Sequence, residues 1–416
     1  MRFIVGVLIS ITFLFGADAT IEVSKKADSL SSIAVEDASV NYRDGVSKRF
    51  FQAMVSDLNV LSLFNVDRKY STTHFNDEGV NEINANADYV LRYKLEEDDN
   101  GAFLAEIKLI RSGSVELSKR YRISKSEKYI FIVHAIAYDI NDAMGGAPVD
   151  WMKRKVVLSR LVAPGKSEIL LTDYTLTYQH VIIRGGLKVF PKWADDAQSS
   201  FYFTDLDGRK PTLYKMDTRT GKRERIISSD GMMICSDVRD DGQKLLLTMA
   251  PQGQPDIYLM DANTRKYSRV TKYKGIDVNG EFMEENRIAF ISNRLGYPNV
   301  FSKRIGSSSV EQMVYYGKSN SSCTTHKDYI VYKARESSHA FSRNTFNLHL
   351  ISTKTDFIRR LTATGVNEFP RFSRDGDAIL FIKNYKQQSA IGVIRLEHNK
   401  NYLFPLSIGK IQSLDW

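Results

Sequence analysis

The chain has 416 residues, 43% of them hydrophobic, and a formal net charge of +9. That length and apolar content can supply two cores, and the presence of only two cysteines, Cys235 and Cys323, excludes a small disulfide-stapled scaffold. Lysines and arginines are interspersed with acids and form no basic stripe with interleaved aromatics, which argues against nucleic-acid binding and leaves a weak attraction to anionic envelope surfaces.

The N-terminus reads as an export signal. Met1-Arg2 precedes an apolar run from Phe3 to Phe15, relieved by Gly6, Ser10 and Thr12, and Ala17-Asp18-Ala19 supplies an A-x-A cleavage site. The run is shorter than the roughly 20 residues of a membrane span. Cleavage after residue 19 is therefore expected, with a mature, exported chain beginning at Thr20; a buried N-terminal element is the competing reading. No cysteine stands at the cleavage point to carry a lipid anchor.

Residues 20–150 read as a small α/β (α+β) domain. From Ser47 to Phe64 the apolar residues Phe50, Phe51, Met54, Val55, Leu58, Leu61 and Leu63 recur at three- and four-residue steps, the stripe of one helix face. Three strands follow, over 87–95, 103–109 and 115–123; in the second, Phe103, Ala105, Ile107 and Leu109 alternate with polar residues. A second helix is predicted to open at Ser124 with a capping box closed by Glu127 and to end at Gly145-Gly146, where a left-handed C-cap costs little.

Beyond Trp151 the helical period gives way to short strands punctuated by turns, the texture of an all-β array. A repeat runs through it. Val189-Phe190-Pro191-Lys192-Trp193-Ala194-Asp195-Asp196 leads to Phe201-Tyr202-Phe203 and Leu213-Tyr214-Lys215-Met216-Asp217, and Glu368-Phe369-Pro370-Arg371-Phe372-Ser373-Arg374-Asp375-Gly376 leads to Ile379-Leu380-Phe381. Positions equivalent to Trp193 are Val238, Phe282, Thr324, Phe372 and Trp416, roughly 42 to 48 residues apart, the length of a four-stranded propeller blade. The segment Ile411–Trp416 looks like a first strand with nothing after it, and residues 155–183 look like a unit lacking its first strand. Joining them predicts a six-bladed β-propeller over 151–416, closed by the C-terminal strand. A β-sandwich is the alternative, but it does not predict complementary fragments at the two ends.

No catalytic constellation is visible. G-x-S-x-G, P-loop, G-x-G-x-x-G and metal-ligand spacings are all absent, so no metal or cofactor is expected. The pairs Asp195-Asp196 and Asp240-Asp241, with Asp375-Gly376, recur at one place in the repeat and suit tight turns better than acid–base catalysis. The cysteines fall in non-adjacent units and are expected to be free. The aromatics at the Trp193 position read as packing between blades.

A propeller mouth is built from the loops that join the last strand of one blade to the first of the next. Here those loops contain Lys188, Met232, Met233, Asp277, Asn279, Asn320, Ser321, Asn367 and Glu368. Polar groups with exposed methionines would suit an adaptable protein-binding surface; ordinary solvent-facing loops are the plain alternative.

The blade motif P-x-W/F-S-x-D-G, with Phe51-Gln52-Ala53-Met54-Val55-Ser56-Asp57-Leu58, Ala87-Asp88-Tyr89-Val90-Leu91 and Met144-Gly145-Gly146 before the first blade, resembles the TolB family over essentially the whole chain. The units starting near Phe282 and Thr324 depart from the motif. The resemblance implies a periplasmic, monomeric, non-enzymatic adaptor of the Tol-Pal system, serving outer-membrane integrity and envelope constriction at cell division. It implies binding of the lipoprotein Pal at the propeller mouth and of the TolA C-terminal domain at the mature N-terminus, here Thr20, Ile21, Glu22 and Val23. Two other readings remain: a propeller hydrolase or lyase acting on a sugar or peptide, which would need His, Arg and carboxylates around the channel that the mouth loops do not supply, and a structural scaffold subunit that would not bind Pal.

Overall fold

A computed structural model of the chain describes residues 30–416 except 40–41, 78, 240, 285, 318, 337–344 and 387. Residues 1–19, expected to form the leader, and Thr20, Ile21, Glu22 and Val23 lie outside the described residues. Residues 31–416 pack as one unit.

The N-terminal module is a mixed sheet with two helices. Its strands run in the order Phe64–Val66, Ser31–Asp37, Tyr89–Glu97, Phe103–Arg111 and Ser114–Ile123, and Ser71–Thr72 also pairs with Ser31–Asp37. The expected helix is α1, Asp44–Leu61, and Phe50, Met54, Leu58 and Leu61 are buried along its predicted stripe. It packs on α2, Tyr129–Ala143.

Two expectations need correction here. The strand Ser31–Asp37 has no counterpart in the sequence reading, although three strands pair with it in parallel. It sits between neighbours and carries buried charge: Glu36 pairs with the equally buried Arg92 at 2.9 Å, and Asp37 accepts from Tyr70 at 2.6 Å. Those partners are remote in sequence, so no alternation betrays the strand. The capping box at Ser124 does not form. Ser126–Lys128 make a separate 3-10 turn, and α2 starts at Tyr129 behind Lys128 with no side-chain cap. The C-terminal end follows the expectation. Gly145 has φ +65°, and the N–H groups of Gly145 and Gly146 return to the carbonyls of Asp142 and Asn141 at 3.0 and 2.9 Å.

The remainder is a propeller of antiparallel meanders. Lys188–Trp193 leads one four-stranded sheet, Met233–Arg239 the next and Asp277–Phe282 the third. Two further groups of four begin at Cys323–His326 and Val366–Phe372; they are joined in one eight-stranded sheet through the single parallel pair Phe346 and Val366. The strand Lys410–Asp415 pairs antiparallel with Val156–Ala163, ahead of Lys166–Thr172 and Gln179–Arg184.

Of the positions equivalent to Trp193, Trp193, Phe282 and Phe372 end their first strands, Val238 stands one residue before the end, Thr324 is the second residue of its strand, and Trp416 directly follows Lys410–Asp415. Trp193, Phe282, Thr324 and Trp416 are buried, Val238 and Phe372 half-buried. The Trp416 indole N–H donates to the Phe372 carbonyl of the preceding sheet at 2.9 Å. The carboxylates after them are turn residues: Asp195 accepts the N–H groups of Ser199 and Ser200 at 2.8 and 3.1 Å. Asp240 lies outside the described residues, but Gly242 beside it has φ +89°, and a Cβ there would collide with the Ala194 carbonyl oxygen of the neighbouring sheet. Both cysteines are buried and free. One apolar core runs from α1 and α2 through Trp151 and Tyr174 into the sheets, as far as Val393 and Trp416.

Candidate functional site at the mouth and channel

In an antiparallel meander the connection into each first strand and the hairpin between the second and third strands lie at the same end. That end is the mouth. Of the nine loop residues singled out in the sequence, Met232 is the exposed methionine; Met233 is 1% exposed and belongs to the core of its sheet, a correction to the expected pair. The two alternate across a strand, so only one can face water.

Most of the polar residues are also turned inward. Lys188 is buried, its ammonium on Asp207 and 3.3 Å from Asp205, while its carbonyl accepts the hydroxyls of Ser159 and Ser167 at 2.9 and 2.7 Å. This pairing holds the Asp207 carboxyl below the usual range. Asp277 is fully buried and accepts both bonds of Arg294 at 3.2 Å. Asn320 donates to Asn299 at 2.8 Å, and Asn367 donates to the carbonyls of Phe346 and Thr364 at 2.9 and 3.1 Å. Ser321 and Asn279 are half-buried, as is Glu368, which meets Lys333 at 2.8 Å and Asn384 at 2.9 Å. These groups bond to side chains of neighbouring strands and loops, and Asn367 to loop backbone as well. They set the mouth's shape and leave little of its surface to themselves.

Met232 apart, the surface comes from residues the sequence reading passed over. Met232, Ile276, Leu295, Tyr316, Tyr385 and Ile408 are each at least 41% exposed, and all sit at this end, Tyr385 as the last residue of a strand and the others on connections. An apolar residue beside a loop glycine, as in Gly275-Ile276, Leu295-Gly296 and Ile408-Gly409, was the available signal. Below these tips the first strands carry bulges. Phe190, Asn279 and Phe369 have φ of 53°, 54° and 48° inside the register shifts of three first strands, and the two phenyl rings lie 6.4 Å apart across the opening. Left-handed φ at a non-glycine is strained; here it turns these side chains into the channel mouth.

One residue before each Trp193-equivalent is a channel residue: Lys192, Asp237, Glu281, Cys323, Arg371 and Asp415. Lys192 lies 3.1 Å from Asp415 and 3.2 Å from Asp237, and Arg371 bonds Glu281 and lies 3.8 Å from Asp415. Burial, outweighing Arg371, pushes Glu281 up to about 8, and burial raises both cysteine thiols. Titratable groups that the loops do not supply are thus supplied by the strands, but bonded to one another. The passage above them narrows to about 30 Å³, room for about one water, and opens on the far side into a funnel of about 440 Å³. Among the described residues no helix is long and apolar enough to cross a membrane.

Comparison with known proteins places this architecture. The family model of the TolB beta propeller domain matches residues 159–416. The chain is 46% identical to the Tol-Pal system protein TolB of Wolinella succinogenes, 43% to that of Campylobacter jejuni and 37% to that of Helicobacter pylori, each across the full length of both chains. The crystal structure of TolB from Acinetobacter baumannii superposes with a TM-score of 0.74 at 20% identity, over 93% of this chain and 97% of that one, and shows the same fold. The chain belongs to the TolB family of Tol-Pal system proteins, which are not enzymes.

Proposed function

We propose that the protein is a periplasmic adaptor: a cleaved leader over residues 1–19, an α/β domain over 20–150, and a six-bladed propeller over 151–416 whose ring is closed by the pairing of Lys410–Asp415 with Val156–Ala163. The mouth binds Pal, and the mature N-terminus at Thr20, Ile21, Glu22 and Val23 binds the TolA C-terminal domain. The protein acts as a monomer in outer-membrane integrity and in envelope constriction at cell division.

The observation that carries the mouth assignment is the ring of exposed apolar tips, Met232, Ile276, Leu295, Tyr316, Tyr385 and Ile408, held over a rigid, hydrogen-bonded base. Apolar side chains displayed together at one end of a propeller suit a protein partner. The narrow, ion-paired channel suits a plug better than a conduit for a small substrate.

Calorimetric titration of the mature protein against the soluble domain of Pal and against the TolA C-terminal domain tests the reading. Both should bind. Removing about ten residues from Thr20 should abolish the TolA signal and leave Pal binding and folding intact, because terminal segments are generally dispensable for stability. Absence of Pal binding by the unaltered protein would refute the adaptor role.

A further inference from the structure

A cluster at the joint between the N-terminal module and the propeller takes no part in the mouth. His134 on α2 is fully buried. Its Nδ1 lies 2.6 Å from Oδ2 of Asp57 on α1, and its Nε2 lies 3.3 Å from Oδ2 of Asp173, just past the strand Lys166–Thr172. Both carboxylates are fully buried as well. Asp57 also accepts the Tyr174 hydroxyl at 2.5 Å, and the Tyr174 ring packs on the imidazole with centroids 4.6 Å apart. Asp173 accepts the N–H groups of Thr175 and Tyr178 at 2.8 and 2.6 Å.

A neutral imidazole has one N–H and one lone pair. With a carboxylate facing each nitrogen, either tautomer would aim its lone pair at a buried carboxylate oxygen. Only the imidazolium donates in both directions, and charge-assisted bonds of this kind are the strong ones. We propose that His134 is a charged positioning residue, an imidazolium clasp that fixes the N-terminal module on the propeller by bridging Asp57 of α1 and Asp173 of the first sheet.

The surroundings agree. Burial acts to drive the proton off, but Asp57 and then Asp173 outweigh it and hold His134 up at about 9. Burial likewise acts to raise Asp173, yet the bonds from His134, Thr175 and Tyr178 hold it below the usual range. Tyr174 and Tyr178 on the propeller side and Tyr129 on α2 are all raised, burial first, and stay neutral. Arg395 stands behind Tyr174 and donates to the carbonyls of Val60 and Leu61 at the end of α1, at 3.3 and 3.2 Å. Because the folded value lies above the unfolded one near 6.5, the stability His134 contributes is complete below about pH 6.5 and lost as pH rises through about 9.

Histidine-selective nitrogen NMR on the full mature protein reads the proton directly. The His134 signals, identified by their loss in His134→Gln, should show both nitrogens protonated through pH 8, with a midpoint near 9. Asp57→Asn should lower that midpoint by at least one pH unit, and this shift identifies the residue even if His134→Gln fails to fold. Amide exchange at Asp173–Tyr178, corrected for its intrinsic pH dependence, should rise about tenfold between pH 7.5 and 9.5. A neutral His134 at pH 7, or corrected exchange that is flat across that interval, would overturn the clasp.

Discussion

At the mouth, Met232, Ile276 and Ile408 stand in solvent on the connections into three first strands; at the other end of the sheet led by Lys410–Asp415, Tyr174 and Trp416 are sealed beneath the N-terminal module, with the Trp151 and Trp416 rings tilted at 42° and 5.4 Å apart. The same meander strands build both ends, so strand alternation alone does not decide which apolar groups are covered. The difference is what lies on top. One end has received its cover from the same chain, through a core continuous from α1 to Val393. The other keeps its apolar groups on the surface, over loops already satisfied by Asn320, Asn367 and Asp277. In this fold the covered part of one end joins the N-terminal module to the propeller, while the mouth leaves apolar side chains exposed.

The sharpest way to break the covered end is to remove its last strand. Deleting Ile411–Trp416 strips the partner of Val156–Ala163 and leaves that edge unpaired. It also removes Asp415, to which Lys192 is paired in the channel. The folded population should fall far more than after an ordinary terminal trim, as read by thermal melting. Trp416→Ala alone should cost about 3 to 5 kcal/mol, since its indole is buried against Trp151 and bonds the Phe372 carbonyl. A deletion that melts like the parent would show that this strand does not hold the first sheet.

A neighbouring pair of methionines separates the two regimes within one loop. Met233→Ala should cost about 2 to 5 kcal/mol in denaturant titration, the range for truncating a packed methionine. Met232→Ala should stay below about 0.5 kcal/mol, as surface changes do. Equal costs would mean that the mouth is not organised as an exposed tip above a buried base.

The sequence carried the parts of this design that depend on local repetition. The Trp193 position, aromatic in four of its six copies, the turn carboxylate Asp195 after it and the stripe on α1 follow local spacing, and the structure uses them as expected. It did not carry features whose partners are distant. Glu36 reads as a surface acid until Arg92 is beside it, and Ser124 reads as a cap until a 3-10 turn intervenes. The mouth was located by its loops, but Lys188, Asp277, Asn320 and Asn367 looked accessible because polar loop residues usually are. Their inward bonds cross between strands and sheets, and no single-chain pattern records them. The channel charges were legible in principle. They sit one residue before the repeat's aromatic, a position that varies from Lys to Asp to Glu and so hides its regularity in chemistry, not in place.

The smallest effect on folding should come from the exposed tips, and there the comparison is sharpened most. Ile276 and Ile408 are 45% and 67% exposed beside loop glycines, so replacing either with lysine removes little packing and should change stability by less than about 0.5 kcal/mol. If the mouth is the Pal surface, the same substitutions place a charge where an apolar contact is desolvated, and truncations at such centres cost about 1 to 4 kcal/mol of binding. Titration should then show Pal affinity falling roughly tenfold or more for each variant, at about 1.4 kcal/mol per factor of ten. Tyr267→Lys makes the control: it is 52% exposed at the first residue of its sheet's last strand, at the far end. It should leave Pal binding unchanged. Equal losses at Tyr267 and Ile408 would mean that added charge weakens the complex at long range, and the apolar tips would then have no special part in recognition.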